Sequence, residues 1–135
     1  PMVALSRFAE ILIRNKVISK EQFAEADQVA RESGRNAGDV LVQLGYADGD
    51  DVMKALAEEH RMPFVDLTKT RIGENVVELV PESVARENAV LPFNEEDGVL
   101  TILSSDPGDM DTVEKLRFIL NRDVRVALAP RDRIQ

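Results

Sequence analysis

Apolar residues in this chain keep a helical spacing as far as His60 and then change to short β-prone runs. Over residues 4 to 15, Phe8, Ile11, Leu12 and Ile13 fall on one side, and Arg7, Glu10 and Arg14 on the other. That is the pattern of an amphipathic helix. Asn15-Lys16 breaks it. Ser19-Lys-Glu-Gln22 has the form of a capping box, in which serine and glutamine side chains satisfy backbone groups that a helix start leaves orphaned. A helix is predicted from Lys20 to Glu32, with Phe23, Ala26, Val29 and Ala30 inward and Gly34 ending it in a left-handed conformation. Asn36 is the next N-cap, and a short helix follows to Leu44, stopped by Gly45. Asp48 caps a fourth helix reaching His60, with Asp50 and Asp51 in the first turn, where the helix dipole favours them.

These helices read as two copies of one unit. Lys16 falls on Gly45, Ser19 on Asp48, Ala26 on Ala55, and Ile11-Leu12-Ile13 on Val40-Leu41-Val42, at a constant offset of 29 residues without a gap. Arg7 then falls on Asn36 and Ala9 on Gly38. Apolar, capping and break positions that repeat in register mark a duplicated helix–turn–helix. Two copies are too few for a solenoid, but they pack as a small four-helix unit with short loops.

Beyond His60 the period changes. Met62 to Leu67 reads as extended, Thr68 to Gly73 as a polar loop and Asn75 to Leu79 as a helical turn. Pro81 to Asn88 is a short helix with proline at its first position. Ala89 to Phe93 is a strand that Pro92 assigns to an edge or a bulge. Glu95-Glu-Asp-Gly98 is a hairpin signal, and Val99 to Leu103, the most apolar β-prone run, is a central strand. Asp106-Pro-Gly108 is a turn. Met110 to Leu120 is an amphipathic helix with Val113, Leu116, Ile119 and Leu120 inward, and Asp123 to Leu128 is a closing strand. The fold class is therefore α+β. A four-helix tandem-repeat subdomain spans residues 1–61, with copies at 4–33 and 34–61. A small α/β sandwich spans 62–135, with a sheet of three or more strands and a right-handed final crossover.

Composition narrows the function. The chain has 135 residues and a formal net charge of −8, with no basic stripe, so it is a poor match for nucleic acid, which is not expected as a partner, and equally poor for anionic membrane surfaces. It has no cysteine, so thiolate catalysis and disulfides are excluded and a cytoplasmic setting is expected. No apolar run approaches the ~18 residues of a membrane span, so direct membrane insertion is not expected. Pro1 ahead of Met2 leads us to expect a natural start at Met2. Pro130-Arg-Asp-Arg-Ile-Gln135, with proline at a first helical position, leads us to expect a piece of a longer protein.

The search for chemistry is largely negative. Neither a phosphate-binding G-x-x-x-x-G-K-[ST] loop nor a G-x-G-x-x-G after a strand is present. His60, the only histidine, closes a helix and is read as a helix-end imidazole, not a catalytic or zinc-binding one. Asp106 to Asp111 and Asp48 to Asp51 lack calcium-loop spacing and are read as helix caps. Paired carboxylates need a cleft to work as acid and base, and none is expected here. No catalytic residue and no metal site is assigned. Arg7, Arg14, Arg31 and Arg35 gather near the repeat; they either face a phosphate or form a solvated face.

Three stretches carry a resemblance. They are Phe8 to Gln22; Gly38 to Gly45 with Lys54 to Asp66; and Glu78 to Phe93, followed by the Asp-Gly hairpin and Ser105-Asp-Pro107. In this order they resemble the N-terminal domain of the bacterial type II secretion and type IV pilus assembly ATPases, the GspE/PilB or MshEN-like family, over essentially the whole chain. The resemblance implies a non-catalytic docking and regulatory domain. Its motor domain, with ATP and Mg, would lie downstream, and its partner would be the cytoplasmic domain of an inner-membrane scaffold protein. It would be cytoplasmic, peripheral at the inner membrane through that partner, and would bind no cofactor itself.

Some relatives use the helical repeat to bind cyclic di-GMP, each copy beginning Arg-Leu-Gly and ending in Gln. The resemblance then implies Arg7, Leu12, Phe23, Arg35, Gly38, Leu41 and Leu56 as ligand contacts. This chain departs from the pattern. Copy one keeps Arg7 but has Phe8, Ala9, Lys16, Asp27 and Ala30 where the family has Leu, Gly, Gly, Leu and Gln. Copy two keeps Gly38 and Gly45 but has Asn36, Ala37 and Glu59 for Arg, Leu and Gln. Asn36 lacks the charged fork that suits guanine and phosphate, and Asp27 and Glu59 put negative charge near a dianion.

Overall fold

The computed structural model describes residues 5–72 and 74–134. It forms two compact units, residues 1–59 and 60–135. The first consists of four helices: α1 (Arg7–Arg14), α2 (Lys20–Ser33), α3 (Ala37–Gln43) and α4 (Gly49–His60), the last running one residue past the division. Helices this short are marginal alone, and their stability comes from packing an apolar face. Here that face is Phe8, Ile11, Leu12, Phe23, Val40, Leu41 and Val52 with Ala9, Ala26 and Ala55. Ala26 and Ala55 are fully enclosed and let the helices approach closely.

The local devices recur at the 29-residue offset. Lys16 and Gly45 both take left-handed φ, at 61° and 78°. The amides of Val17 and Tyr46 then donate back to the carbonyls of Leu12 and Leu41, each at 3.0 Å. Ser19 and Gln22 form the reciprocal capping box of α2. Asp48 and Asp51 do the same for α4: the Asp51 amide donates to Asp48 Oδ1 at 2.8 Å, and the Asp48 amide to Asp51 Oδ2 at 3.4 Å. The first-helix start slips, and α4 ends two residues short of the α2 equivalent. The cap of α1 is Ser6, whereas that of α3 is Asn36, one residue beyond the offset.

The second unit holds α5 (Glu74–Val77), α6 (Glu82–Glu87), β1 (Leu91–Glu96), β2 (Val99–Ser104), α7 (Met110–Leu120), β3 (Asp123–Leu128) and α8 (Arg131–Ile134). Its sheet has the order β1-β2-β3, with β2 central, antiparallel to β1 and parallel to β3. The sheet is thus mixed and three-stranded, and the molecule is α+β. Asp97 and Gly98 both have positive φ at the hairpin tip, and the β1–β2 register shifts between Pro92 and Asn94 as a bulge. Leu100, Ile102 and Val124 pack with Val113 and Leu116 of α7. Leu103, Ala127, Ala129 and Ile134 form a separate cluster with Val65, Leu67, Leu91 and Phe93 packed on it. The extended segment after α4 joins the sheet at one point, where Phe64 bridges Leu128 in parallel.

Two expectations are corrected. Ile119 does not point inward: it is 45% exposed, because Val113, Leu116 and Leu120 already fill the side of α7 that faces the sheet. Pro81 is the N-cap of α6 rather than its first residue, since its ψ of 139° is extended. Of the predicted polar loop, Gly73 lies outside the described residues.

Candidate functional site

The ligand-contact residues named from the resemblance all fall in the helical unit, and the structure divides them. Arg7 and Arg35 are exposed, and Leu56 is half-buried against the core. Leu12 and Leu41, at 1% and 0% exposure, and Phe23, at 5%, are core residues with almost no surface to offer. Gly38 is buried too. A Cβ there would lie 2.9 Å from Val52 Cγ1 and 3.6 Å from Phe8 Cζ, so this glycine serves close helix contact. Burying a Leu or Phe contributes about 1.5–3 kcal/mol, which is reason enough for those residues to be apolar.

The surface that remains is the start of each copy's first helix. At α1, Ser6 Oγ accepts the Ala9 amide at 3.1 Å. The Phe8 amide donates to Glu59 Oε2, also at 3.1 Å, from the far end of the repeat. A carboxylate therefore already occupies the positive end of α1, beside Arg7. An internal anion placed there satisfies an orphan amide and opposes the helix dipole, as a bound phosphate would. At α3, Asn36 Oδ1 accepts the Asp39 amide at 2.8 Å, and Asp39 adds a second carboxylate. Both helix starts supply their own acceptors.

The basic cluster is dispersed into pairs. Arg14 pairs with Glu58, Arg31 Nε donates to Asp27 Oδ2 at 2.9 Å, and Arg35 donates to Gln43 Oε1. Arg7 has no ion-pair partner among the described residues. Tyr46 OH donates to Glu25 Oε1 at 2.6 Å, and this hydrogen bond raises the phenol above its ordinary 10.0. The roles of Glu59 and Glu58 were missed in the sequence. Each bonds a residue more than forty positions away, and only the tertiary fold brings them together.

The second unit has a cleft, which had not been expected. It holds about 430 Å³ and is lined by Glu82, Ala85, Arg86, Ala89, Val90, Leu91 and Ile134. Its one carboxylate, Glu82, pairs with Arg86, so no two acids converge there. The Asp106–Asp111 acids act as caps and turn acceptors: Asp106 Oδ1 accepts the Gly108 amide at 2.9 Å, and Asp109 Oδ1 the Thr112 amide at 3.2 Å. His60 is exposed at the end of α4. Among the described residues no group of His, Cys, Asp or Glu could hold a metal ion, and no helix is long and apolar enough to cross a membrane.

Comparison with known proteins places this geometry in context. The family model of the MshEN domain matches residues 60–135. The type IV pilus assembly ATPase PilB of Myxococcus xanthus is 25% identical over 91% of the chain, which spans 22% of that protein's length. Bacteriophage adsorption protein B of Escherichia coli is 30% identical over 97% of the chain, which spans 17% of it. A structure of MshE with cdg (cyclic di-GMP) superposes with a TM-score of 0.76 at 27% identity, covering 96% of this chain and 94% of that one. The N-terminal domain of XpsE shares the fold, with a TM-score of 0.65 at 23% identity and coverage of 98% and 94%.

Proposed function

This chain belongs to the MshEN domain family, and from that premise we propose that it is the non-catalytic N-terminal docking and regulatory domain of a type II secretion or type IV pilus assembly ATPase. Its partner on this reading is the cytoplasmic domain of an inner-membrane scaffold protein. The domain works beside its own downstream motor, which would hold ATP and Mg, and is cytoplasmic and peripheral at the inner membrane through its partner. The observation that carries the reading is the likeness to MshE, which runs through both units and nearly the full length of each chain. Homology to PilB supports the ATPase parent. Calorimetry with the scaffold's cytoplasmic domain tests it: saturable binding without ATP hydrolysis is the expected result, and no binding to the cognate domain would sink it.

A second reading, a cyclic di-GMP sensor, is favoured by the ligand in the MshE structure. Arg7, Arg35 and Leu56 would form its accessible part, with Leu12, Phe23, Gly38 and Leu41 supporting from beneath. Against it stand Asn36 in place of an arginine and the Glu59 carboxylate on the Phe8 amide, which a phosphate would have to displace. We rank it second for that reason. Binding would show in a melt, since a ligand at a hundredfold excess over Kd stabilises by about 2.7 kcal/mol.

A further inference from the structure

The end of α4 lacks the devices that usually hold a helix end. Its last turn carries Glu58 and Glu59, where the helix dipole is negative and carboxylates are unfavourable. The basic residue of that turn is the exposed His60 rather than a lysine or arginine. The next residue, Arg61, takes a left-handed φ of 55° without being glycine, and so against a steric cost. The matching end of α2 has none of these faults. Val29 and Ala30 stand where Glu58 and Glu59 do, Arg31 lies in the last turn, and Gly34 supplies the left-handed cap. Helix α2 accordingly runs two residues further, at the 29-residue offset, than α4.

Helix α1 offsets these faults. Glu59 Oε2 accepts the Phe8 amide at 3.1 Å, at the positive start of α1, where an orphan amide needs an acceptor. Glu58 pairs with Arg14, in the last turn of α1. Two neighbouring carboxylates, misplaced on their own helix, thus meet the positive groups of another. We propose that the last turn of α4 is conditional on α1: it is wound while Arg14 and the Phe8 amide balance Glu58 and Glu59, and it opens when they do not. The boundary between the two compact units falls between Glu59 and His60, so the order of the chain at that boundary depends on α1. The apolar side of α1, with Phe8, Ile11 and Leu12 in the core, is a separate matter. The Arg14–Glu58 pair lies at the surface and is weak by itself. Losing it therefore leaves the unit folded and changes local opening at the end of α4.

Amide hydrogen exchange of the 135-residue chain, resolved by residue with NMR, tests this. In Arg14→Ala the protection of the Glu58, Glu59 and His60 amides should fall about two- to fivefold, the size of one helix-end charge effect. The amides of Val52 and Ala55, earlier in α4, should hold. Arg14→Glu should lower protection further, and Arg14→Glu with Glu58→Arg should restore it, since the pair is remade and an arginine suits the end of α4. In Glu58→Gln/Glu59→Gln the opposed charges are gone, so adding Arg14→Ala should leave the last turn unchanged. Protection at residues 58–60 that is indifferent to both Arg14 changes overturns the proposal. So does a response to Arg14→Ala that persists in the Glu58→Gln/Glu59→Gln background, which would assign the effect to the packing of α1. A uniform loss across α2 and α4 would also overturn it, because that is the mark of global destabilisation.

Discussion

The two copies of the helical repeat share a backbone plan and differ in their surface chemistry. At the break, Lys16 and Gly45 take the same left-handed conformation, although only glycine adopts it without cost. At the second helix start, a Ser–Gln box and an Asp–Asp box fill the same amides. At the core, Ile11-Leu12 and Val40-Leu41 are buried to the same degree. Elsewhere the copies diverge: the exposed Arg7 against Asn36, the half-buried Val17 against Tyr46, and the buried Ala30 against Glu59. Duplicated geometry thus persisted where packing and capping enforce it. Glu59, at one of the diverging positions, binds the opposite copy through the Phe8 amide.

That comparison can be pressed in order of expected effect. Leu12→Ala and Leu41→Ala should each cost about 2–5 kcal/mol in chemical denaturation, and by similar amounts if the two core positions are equivalent. A large inequality would show that one copy carries the unit. Gly38→Ala should cost about 1–3 kcal/mol, because the new methyl meets Val52 at 2.9 Å. At the break the copies should respond in opposite directions. Lys16→Gly should stabilise, or at least not destabilise, whereas Gly45→Lys should cost about 1 kcal/mol, read from paired thermal melts. The smallest effect concerns Tyr46. Its phenol should titrate above 10.0 by ultraviolet absorbance and move back towards that value in Glu25→Gln. Because the folded value is raised, the Tyr46–Glu25 tie is fully present below pH 10 and is lost as pH rises through the folded midpoint.

Sequence reading captured many of the devices decided within a few residues, though it set Pro81 inside α6 and began β1 at Ala89, two residues before its start at Leu91. The Ser19–Gln22 box, the left-handed Gly34 and Gly45, the Asp97-Gly98 hairpin tip and the bulge at Pro92 all follow from local backbone rules. What escaped it depends on distant neighbours. Ile119 has the spacing of a core residue but is left outside, since three other side chains already cover the sheet. Glu59 reads as a misplaced charge in a ligand pattern and turns out to bond Phe8. Leu12, Phe23 and Leu41 are core residues by burial, a role their helical spacing also predicts. Arg125 and Thr101, on adjacent strands 24 residues apart in sequence, join through a 3.0 Å hydrogen bond that no local pattern announces.

The repeat keeps its packing and capping scaffold, and we propose that the groups at Asn36 and Glu59 no longer serve a nucleotide. The most direct measurement is a calorimetric titration of the chain with cyclic di-GMP, followed by the same titration of Asn36→Arg/Glu59→Gln. The account predicts no heat and no thermal shift for the natural sequence, and saturable binding in the double variant that disappears when Arg7→Ala is added. Saturable binding by the natural sequence that is lost in Arg7→Ala would contradict it.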